Sequence, residues 1–174
     1  SNNNNSYAQY ILGILYYYGK NTSVDINKAI YYFSLAANQN NSEAQYELGL
    51  IYFNGDHIQR DINKAIHYYS LAAEQNNSKA QYNLGLIYYR GESITRDINK
   101  SIHYFTCSAN QNNLKAQYNL GVIYERGEFI TRDINKSIHY YTLAANQNDH
   151  SAQYNLGVLF YDGKYIRRDI NKSI

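Results

Sequence analysis

Apolar residues in the stretch from Ser42 to Asn76 fall into two helical stripes. Ala44, Leu48, Ile51 and Tyr52 stand at i, i+4, i+7 and i+8, the spacing of one face of a helix. After Gly55 a second stripe follows, Ile62, Ala65, Ile66, Tyr69 and Ala73, again of the width that a helix presents to a core. The pattern predicts two antiparallel helices of about 12 and 14 residues joined by a short connection, and no alternation of strand type appears. The same pattern then returns. "AQYELGLIYFNG" from Ala44 is echoed from Ala8, Ala80, Ala116 and Ala152, each time after a step of 36 residues. A fixed period without insertions marks a repeat array in which each unit buries its apolar face on its neighbours. The expected architecture is all-α: four full 36-residue helical hairpins and a partial fifth, read as one domain over 1–174.

Polar residues mark the helix ends. Asp61 is placed as N-cap of the second helix, and Asn76, with Asn40, Asn112 and Asn148, stands where a helix ends in a left-handed residue. Ser42 with Gln45, Ser6 with Gln9 and Ser78 with Gln81 are read as capping boxes opening the first helices. Leu114 and His150 break that series, so those two starts are expected to fray. Gly13, Gly49, Gly85, Gly121 and Gly157 lie inside first helices, where glycine costs about 1 kcal/mol relative to alanine. The offsetting gain is expected from close approach to the small pairs Ala36/Ala37, Ala72/Ala73, Ser108/Ala109 and Ala144/Ala145 of the second helices.

The spacing Ala-x3-Leu-Gly-x2-Tyr-x2-Gly, followed by Ile-x2-Asp-x2-Lys-Ala/Ser-x2-Tyr-Tyr/Phe-x2-Ala-Ala, resembles the Sel-one-like repeat (SLR), a relative of the tetratricopeptide repeat. Tyr32, Tyr68, Tyr104 and Tyr140 stand where that family often has Trp. Thr22 departs from the Ile at 58, 94, 130 and 166. The resemblance implies a right-handed α/α superhelical solenoid acting as a non-catalytic adaptor or scaffold for protein complexes.

Composition narrows the function further. The formal charge of +2 and the absence of a long Lys/Arg run leave no electrostatic footprint for nucleic acid or a membrane surface. The longest apolar run, Tyr10 to Tyr18, is far short of the roughly 20 residues that span a bilayer. The chain starts without Met and stops inside a repeat, so it is expected to be a fragment of a longer array. Cys107 replaces Leu35, Leu71 and Leu143 and is read as a small buried hydrophobe. The single thiol, together with Asn-x-Ser strings at Asn99, Asn135 and Asn171, leans towards a reducing, cytoplasmic setting.

Candidate chemistry is sparse. His67, His103 and His139 share one repeat position, but helices pack about 8 to 10 Å apart, too far for successive histidines to share an ion at ~2 Å bonds. "RDINK", beginning at Arg60, Arg96, Arg132 and Arg168, recurs at one repeat position and is read as structural. No phosphate loop or catalytic set appears, so no enzyme, cofactor, metal or small-molecule substrate is expected.

A second apolar face on the first helices remains. By resemblance to tetratricopeptide arrays it lines a concave groove, with a floor of Tyr10, Tyr46, Tyr82, Tyr118 and Tyr154, flanked by Tyr17, Phe53, Tyr89 and Tyr161 and interrupted by Glu125. Aromatic rows of this kind anchor bound segments. At the edges the sequence varies, reading Tyr7, Glu43, Lys79, Lys115, Ser151 in one row and Tyr18, Asn54, Arg90, Arg126, Asp162 in the other, so the third and fourth repeats are basic. By the same resemblance Asn83, Asn119 and Asn155 hold the place of a ligand-clamping asparagine. These residues point to a protein or peptide partner, acidic or C-terminal. Two alternatives stay open: a structural component packing through its outer faces, and a repeat domain attached to a catalytic one.

Overall fold

A computed structural model of the chain describes residues 2–20, 23–55 and 57–161. Thr22, Asp162, Ile166, Arg168 and Asn171 lie outside the described residues. Those described form nine helices and no strand: α1 (Asn2–Tyr18), α2 (Ile26–Ala37), α3 (Ser42–Asn54), α4 (Ile62–Glu74), α5 (Ser78–Arg90), α6 (Ile98–Asn110), α7 (Leu114–Arg126), α8 (Ile134–Ala145) and α9 (His150–Tyr161). Odd helices are the first of each hairpin and even helices the second. The chain divides into two compact units, Ser1–Leu84 and Gly85–Ile174. In the first, Ala29, Phe33, Ala36, Ala44, Leu48 and Ile51 form a core on which Tyr10, Ile14, Tyr52 and Tyr68 pack. In the second, Tyr141, Ala144, Ala152 and Leu159 do the same, with Tyr118, Val122 and Ile138 against them.

The intrahelical glycines permit close approach, but to a ring and not to the small pairs. A Cβ built on Gly13, Gly49 or Gly85 would fall 2.5 Å from a ring carbon of Phe33, Tyr69 or Phe105, and one on Gly121 would strike Tyr141. All four rings are fully buried. The Ala pairs sit a turn further along the even helices, also buried but not over the glycine. The ring one turn earlier is what the glycine meets.

Even helices begin as expected. Asp25, Asp61, Asp97 and Asp133 accept from the backbone N–H of Lys28, Lys64, Lys100 and Lys136 at 2.9–3.0 Å. Odd helices are capped one residue earlier than the serines. The caps are Asn41, Asn77, Asn113 and Asp149, accepting from the N–H of Ala44, Ala80, Ala116 and Ala152. Asn40, Asn76, Asn112 and Asn148 take positive φ, so the residue after each is the extended one that caps. Leu114 and His150 are thus ordinary first helical residues with intact caps, which removes the reason for expecting those starts to fray. Ser6 lies inside α1, which starts at Asn2.

The glutamines expected in capping boxes do something else. Gln45, Gln81, Gln117 and Gln153 donate from Nε2 to the carbonyls of Ala37, Ala73, Ala109 and Ala145, on the even helix of the preceding repeat. Their oxygens face the other way: Gln45 and Gln117 accept from Gln75 and Gln147 at 2.7 Å, and Gln9 accepts from Gln39 at 2.6 Å.

The "RDINK" connection is tied to the helix before it. Asp61 and Asp133 donate their N–H to Tyr52 O and Tyr124 O, at 2.9 and 3.0 Å. Arg60 and Arg132 donate from Nε to Phe53 O and Glu125 O, at 3.0 and 2.7 Å. Gly55 and Gly127, at φ +71° and +62°, let the chain fold back onto the arginine, whose backbone sits within 3.0 Å of where a Cβ would stand. On this side each hairpin carries a stacked tyrosine pair, Tyr52 on Tyr68 at 5.8 Å and Tyr124 on Tyr140 at 5.9 Å. Lys64 and Lys136 cover Tyr52 and Tyr124 at about 5 Å. Cys107 is half-buried rather than buried, its Sγ 3.9 Å from His103 Nε2.

Gly121→Ala is expected to destabilise the chain by about 1 to 3 kcal/mol, because the new methyl must displace the buried Tyr141 ring. Thermal melts of the variant and the parent check this, and an unchanged melting point would remove the ring contact as the reason for the glycine.

Candidate functional site

The second face of the odd helices is aromatic in both units, and most of its rings also pack. In the first unit Tyr10 lies on Phe33 at 6.0 Å and Tyr46 on Tyr69 at 5.9 Å, both tilted. Phe53 meets Tyr69 at 6.5 Å with the Arg60 guanidinium 5.2 Å from its ring. In the second, Tyr118 lies on Tyr141 at 5.7 Å. These floor rings therefore rest on the same even-helix rings that cover the glycines. Tyr46, Tyr82 and Tyr118 are half-buried, whereas Tyr154 is 72% exposed. Tyr17, half-buried, lies edge-on to the exposed Tyr18 at 4.9 Å.

The three candidate asparagines are engaged differently. Asn83 turns its amide towards the hydroxyls of Tyr46 and Tyr69, yet the buried Tyr69 hydroxyl completes no hydrogen bond of good geometry among the described residues. Asn155 bonds the Tyr141 hydroxyl. Asn119, whose counterpart ring is Phe105 with no hydroxyl, folds back and donates to Lys115 O at 2.8 Å. The position thus serves buried tyrosines first. Glu125, which interrupts the aromatic row, accepts from the Tyr141 hydroxyl at 2.6 Å; Phe53 stands at that place in the first unit and leaves Tyr69 without an acceptor. Burial raises the pKa of both tyrosines, and for Tyr141 the hydrogen bond to the Glu125 carboxylate raises it further.

The basic edge residues are exposed. Lys79 of the first unit places its ammonium 5.6 Å from the Tyr46 ring centroid. In the second unit Arg126 pairs with Glu128 at 3.7 Å, and among the described residues the side chains of Arg90 and Lys115 make no ion pair. Near Arg90, Tyr89 meets Phe129 edge-on at 6.4 Å, and Arg96 holds its guanidinium 4.4 Å from the Phe129 ring. Phe129 is 48% exposed and was not foreseen, although its counterparts, His57 and Ser93, show that the position is free to vary. Glu43 and Glu47, facing Lys79, give the first unit an acidic character at places that are basic or neutral later. Burial lifts the Glu47 carboxyl and Lys79 opposes that shift. His67, His103 and His139 stand edge-on to Tyr68, Tyr104 and Tyr140 at 5.1, 5.3 and 5.1 Å. No group of three or more His, Cys, Asp or Glu among the described residues could hold a metal ion.

Repeated helical hairpins, closed by an even-helix ring over an odd-helix glycine and stitched by glutamine amides, define an α-helical repeat protein. The chain belongs to the Sel1 repeat family, whose model matches residues 6–41, 42–77, 78–113, 114–149 and 150–174. It is similar to a protective antigen of uropathogenic Escherichia coli strains with an SLR fold, at 32% identity and a TM-score of 0.88 over 94% of this chain and 35% of that one. It is similar also to a Sel1 repeat protein from Oxalobacter formigenes, at 32% identity and a TM-score of 0.82 over 98% of this chain and 70% of that one. Helicobacter pylori cysteine rich protein B shares the fold, with a TM-score of 0.60 at 22% identity over 76% of this chain and 96% of its own. The chain thus spans about a third of the length of the E. coli antigen. Among curated proteins none matches it. Sel1 repeat proteins are generally protein-interaction scaffolds and typically non-catalytic. No described helix is long and apolar enough to cross a membrane.

Tyr69→Phe is expected to leave the neutral-pH melting point unchanged or raised, since it removes an unpaired buried hydroxyl. Tyr141→Phe is expected to cost about 1 kcal/mol, because Glu125 loses its donor. A tyrosine kept neutral by burial stabilises the fold up to its unfolded pKa of about 10 and loses that contribution as pH rises further towards the raised folded value. Tyr69→Phe should therefore hold its melting point better above that pH, and parallel melts at neutral and alkaline pH check both statements.

Proposed function

We propose that this chain is a non-catalytic protein-interaction scaffold whose odd-helix aromatic faces receive an extended partner segment, with an acidic or C-terminal stretch at the basic residues. The observation that carries this reading is the combination on the second unit. Tyr89 and Tyr118 keep part of their rings open while Arg90 and Lys115, exposed and without an ion pair among the described residues, stand at positions that vary between repeats. Residues free to vary are not required for stacking, so their shared charge serves a surface role. Lys79, Tyr82 and Asn83 carry the same residue types on the first unit, as do Tyr154 and Asn155 on α9. Asn119 and Asn155 would have to release their present partners to pair with a ligand backbone. The single half-buried thiol and the Asn-x-Ser strings support a cytoplasmic setting.

A second reading, packing within a larger assembly, is favoured by Phe129. Its exposed ring on a connection, with Arg96 beside it, suits lateral contact better than a segment lying along the odd helices.

The expected outcome for Arg90→Glu with Arg126→Glu is loss of at least about tenfold in affinity for a Glu/Asp-rich peptide with a free C-terminus, since hydrogen bonds to charged groups contribute roughly 1.5 to 3 kcal/mol. Fluorescence anisotropy at two salt concentrations measures it, with helicity and melting confirmed. Unaltered affinity at low salt would turn the reading towards lateral packing through Phe129.

A further inference from the structure

The first unit differs in charge from the rest, and the repeat shows where the difference acts. Lys79 lies over Tyr46 at 5.6 Å. One repeat earlier, the counterpart of Tyr46 is Tyr10 and the counterpart of Lys79 is Glu43. Where the floor tyrosine of the second repeat is closed by an ammonium of the third, the floor tyrosine of the first is therefore met by a carboxylate of the second. Glu47 adds another. It holds the place taken later by Asn83, Asn119 and Asn155, which are engaged by tyrosine hydroxyls or by their own helix, but its counterpart ring is Phe33, which has no hydroxyl to offer. Glu47 is half-buried and makes no hydrogen bond or ion pair among the described residues, with Lys79 acting on it only through its charge. Glu43 is exposed and accepts only a 3.1 Å hydrogen bond from Asn77. Both carboxylates act on the Tyr10 hydroxyl, raising its pKa after burial has done so.

Charge along the odd helices agrees. α1 has no charged residue and α3 carries Glu43 and Glu47 with no cation, whereas α5 and α7 carry more basic than acidic residues. The chain also shows what its surface tyrosines accept. Lys28, Lys64, Lys100 and Lys136 each cover a ring at 4.9 to 5.1 Å, the distance at which a cation gains from a ring face. Tyr10, half-buried against Phe33 and Tyr7, is offered two carboxylates and no such cation.

We propose that the aromatic face of α1 and α3 docks an extended, basic segment of a partner protein, one lysine or arginine of which is received over Tyr10 by Glu43 and Glu47. This rests on the reading that odd-helix faces receive the partner, and it adds a subsite of opposite charge. Arginine suits it better than lysine, because its planar fork can stack on the ring and still pair with a carboxylate.

The test uses the full chain and a labelled synthetic peptide in which arginines alternate with small apolar residues, beside the same peptide with citrulline in place of arginine. Anisotropy titrations are expected to show binding of the arginine peptide that weakens with salt, at least about tenfold weaker binding of the citrulline peptide, and a similar loss for Glu43→Gln with Glu47→Gln at an unchanged melting point. Glu47→Gln alone should give an intermediate loss, keeping the test valid if the double variant melts early. Arg90→Glu with Arg126→Glu should leave the arginine peptide bound. Equal binding of the two peptides, unchanged affinity in the glutamine variants, or no binding of the arginine peptide would overturn the proposal. So would equally tight binding of spermidine, which would assign the site to a small polyamine. Retained capture of the acidic peptide in any of these cases would confine the failure to this subsite, whereas loss of both peptides from the parent chain would bring down the scaffold reading with it.

Discussion

One contact organises each hairpin: the ring of Phe33, Tyr69, Phe105 or Tyr141 packed against the glycine of the opposing odd helix. It explains why a poor helix former is kept at the centre of a helix, since any side chain there would hold the two backbones apart. It also decides what happens on the far side. The floor tyrosines Tyr10, Tyr46 and Tyr118 rest on those same rings, so the face open to a partner is built directly on the element that closes the core. A change at the glycine should consequently be felt at the surface as well as in the melting point.

Choosing Phe or Tyr for that ring has consequences one layer out. A tyrosine brings a hydroxyl into a site where an unpaired polar group is costly, and the neighbouring odd helices respond. Glu125 and Asn155 attend to Tyr141. Asn83 leans towards Tyr69, which still lacks a well-formed bond. Opposite the phenylalanines no such duty exists, which leaves Asn119 to bond its own helix and Glu47 without a hydrogen bond among the described residues. The identity of a core residue thus determines which surface polar groups are occupied and which are available.

Much of the fold was legible in the residues. A period without insertions, two apolar stripes, Asp61 and its counterparts as caps, and Asn76 and its counterparts as left-handed ends all follow from local rules. The errors share a cause. Ser42 competes with Asn41 for the cap, and only the positive φ of Asn40 decides between them. The glycine could meet either the ring or the alanine pair, which share a stripe; the relative height of the two helices settles that, and spacing alone does not. For the candidate site, the aromatic rows and charged edges could be read directly, whereas the pairing of Glu125 with Tyr141 and the placing of Phe129 against Arg96 depend on contacts between elements far apart in sequence.

The glutamine stitches have a direction. Each of these odd-helix amides reaches back to a carbonyl of the preceding repeat, while the oxygens of Gln45 and Gln117 accept a hydrogen bond from the glutamine just past the end of the following even helix. A hairpin of this kind is a link with a hook on one side and an eye on the other, so it can be copied in tandem without redesign but not inserted in reverse order. Lengthening by duplication preserves every stitch, and the novelty of each added link is confined to the few surface positions, such as Glu47 or Phe129, that the stitching does not use.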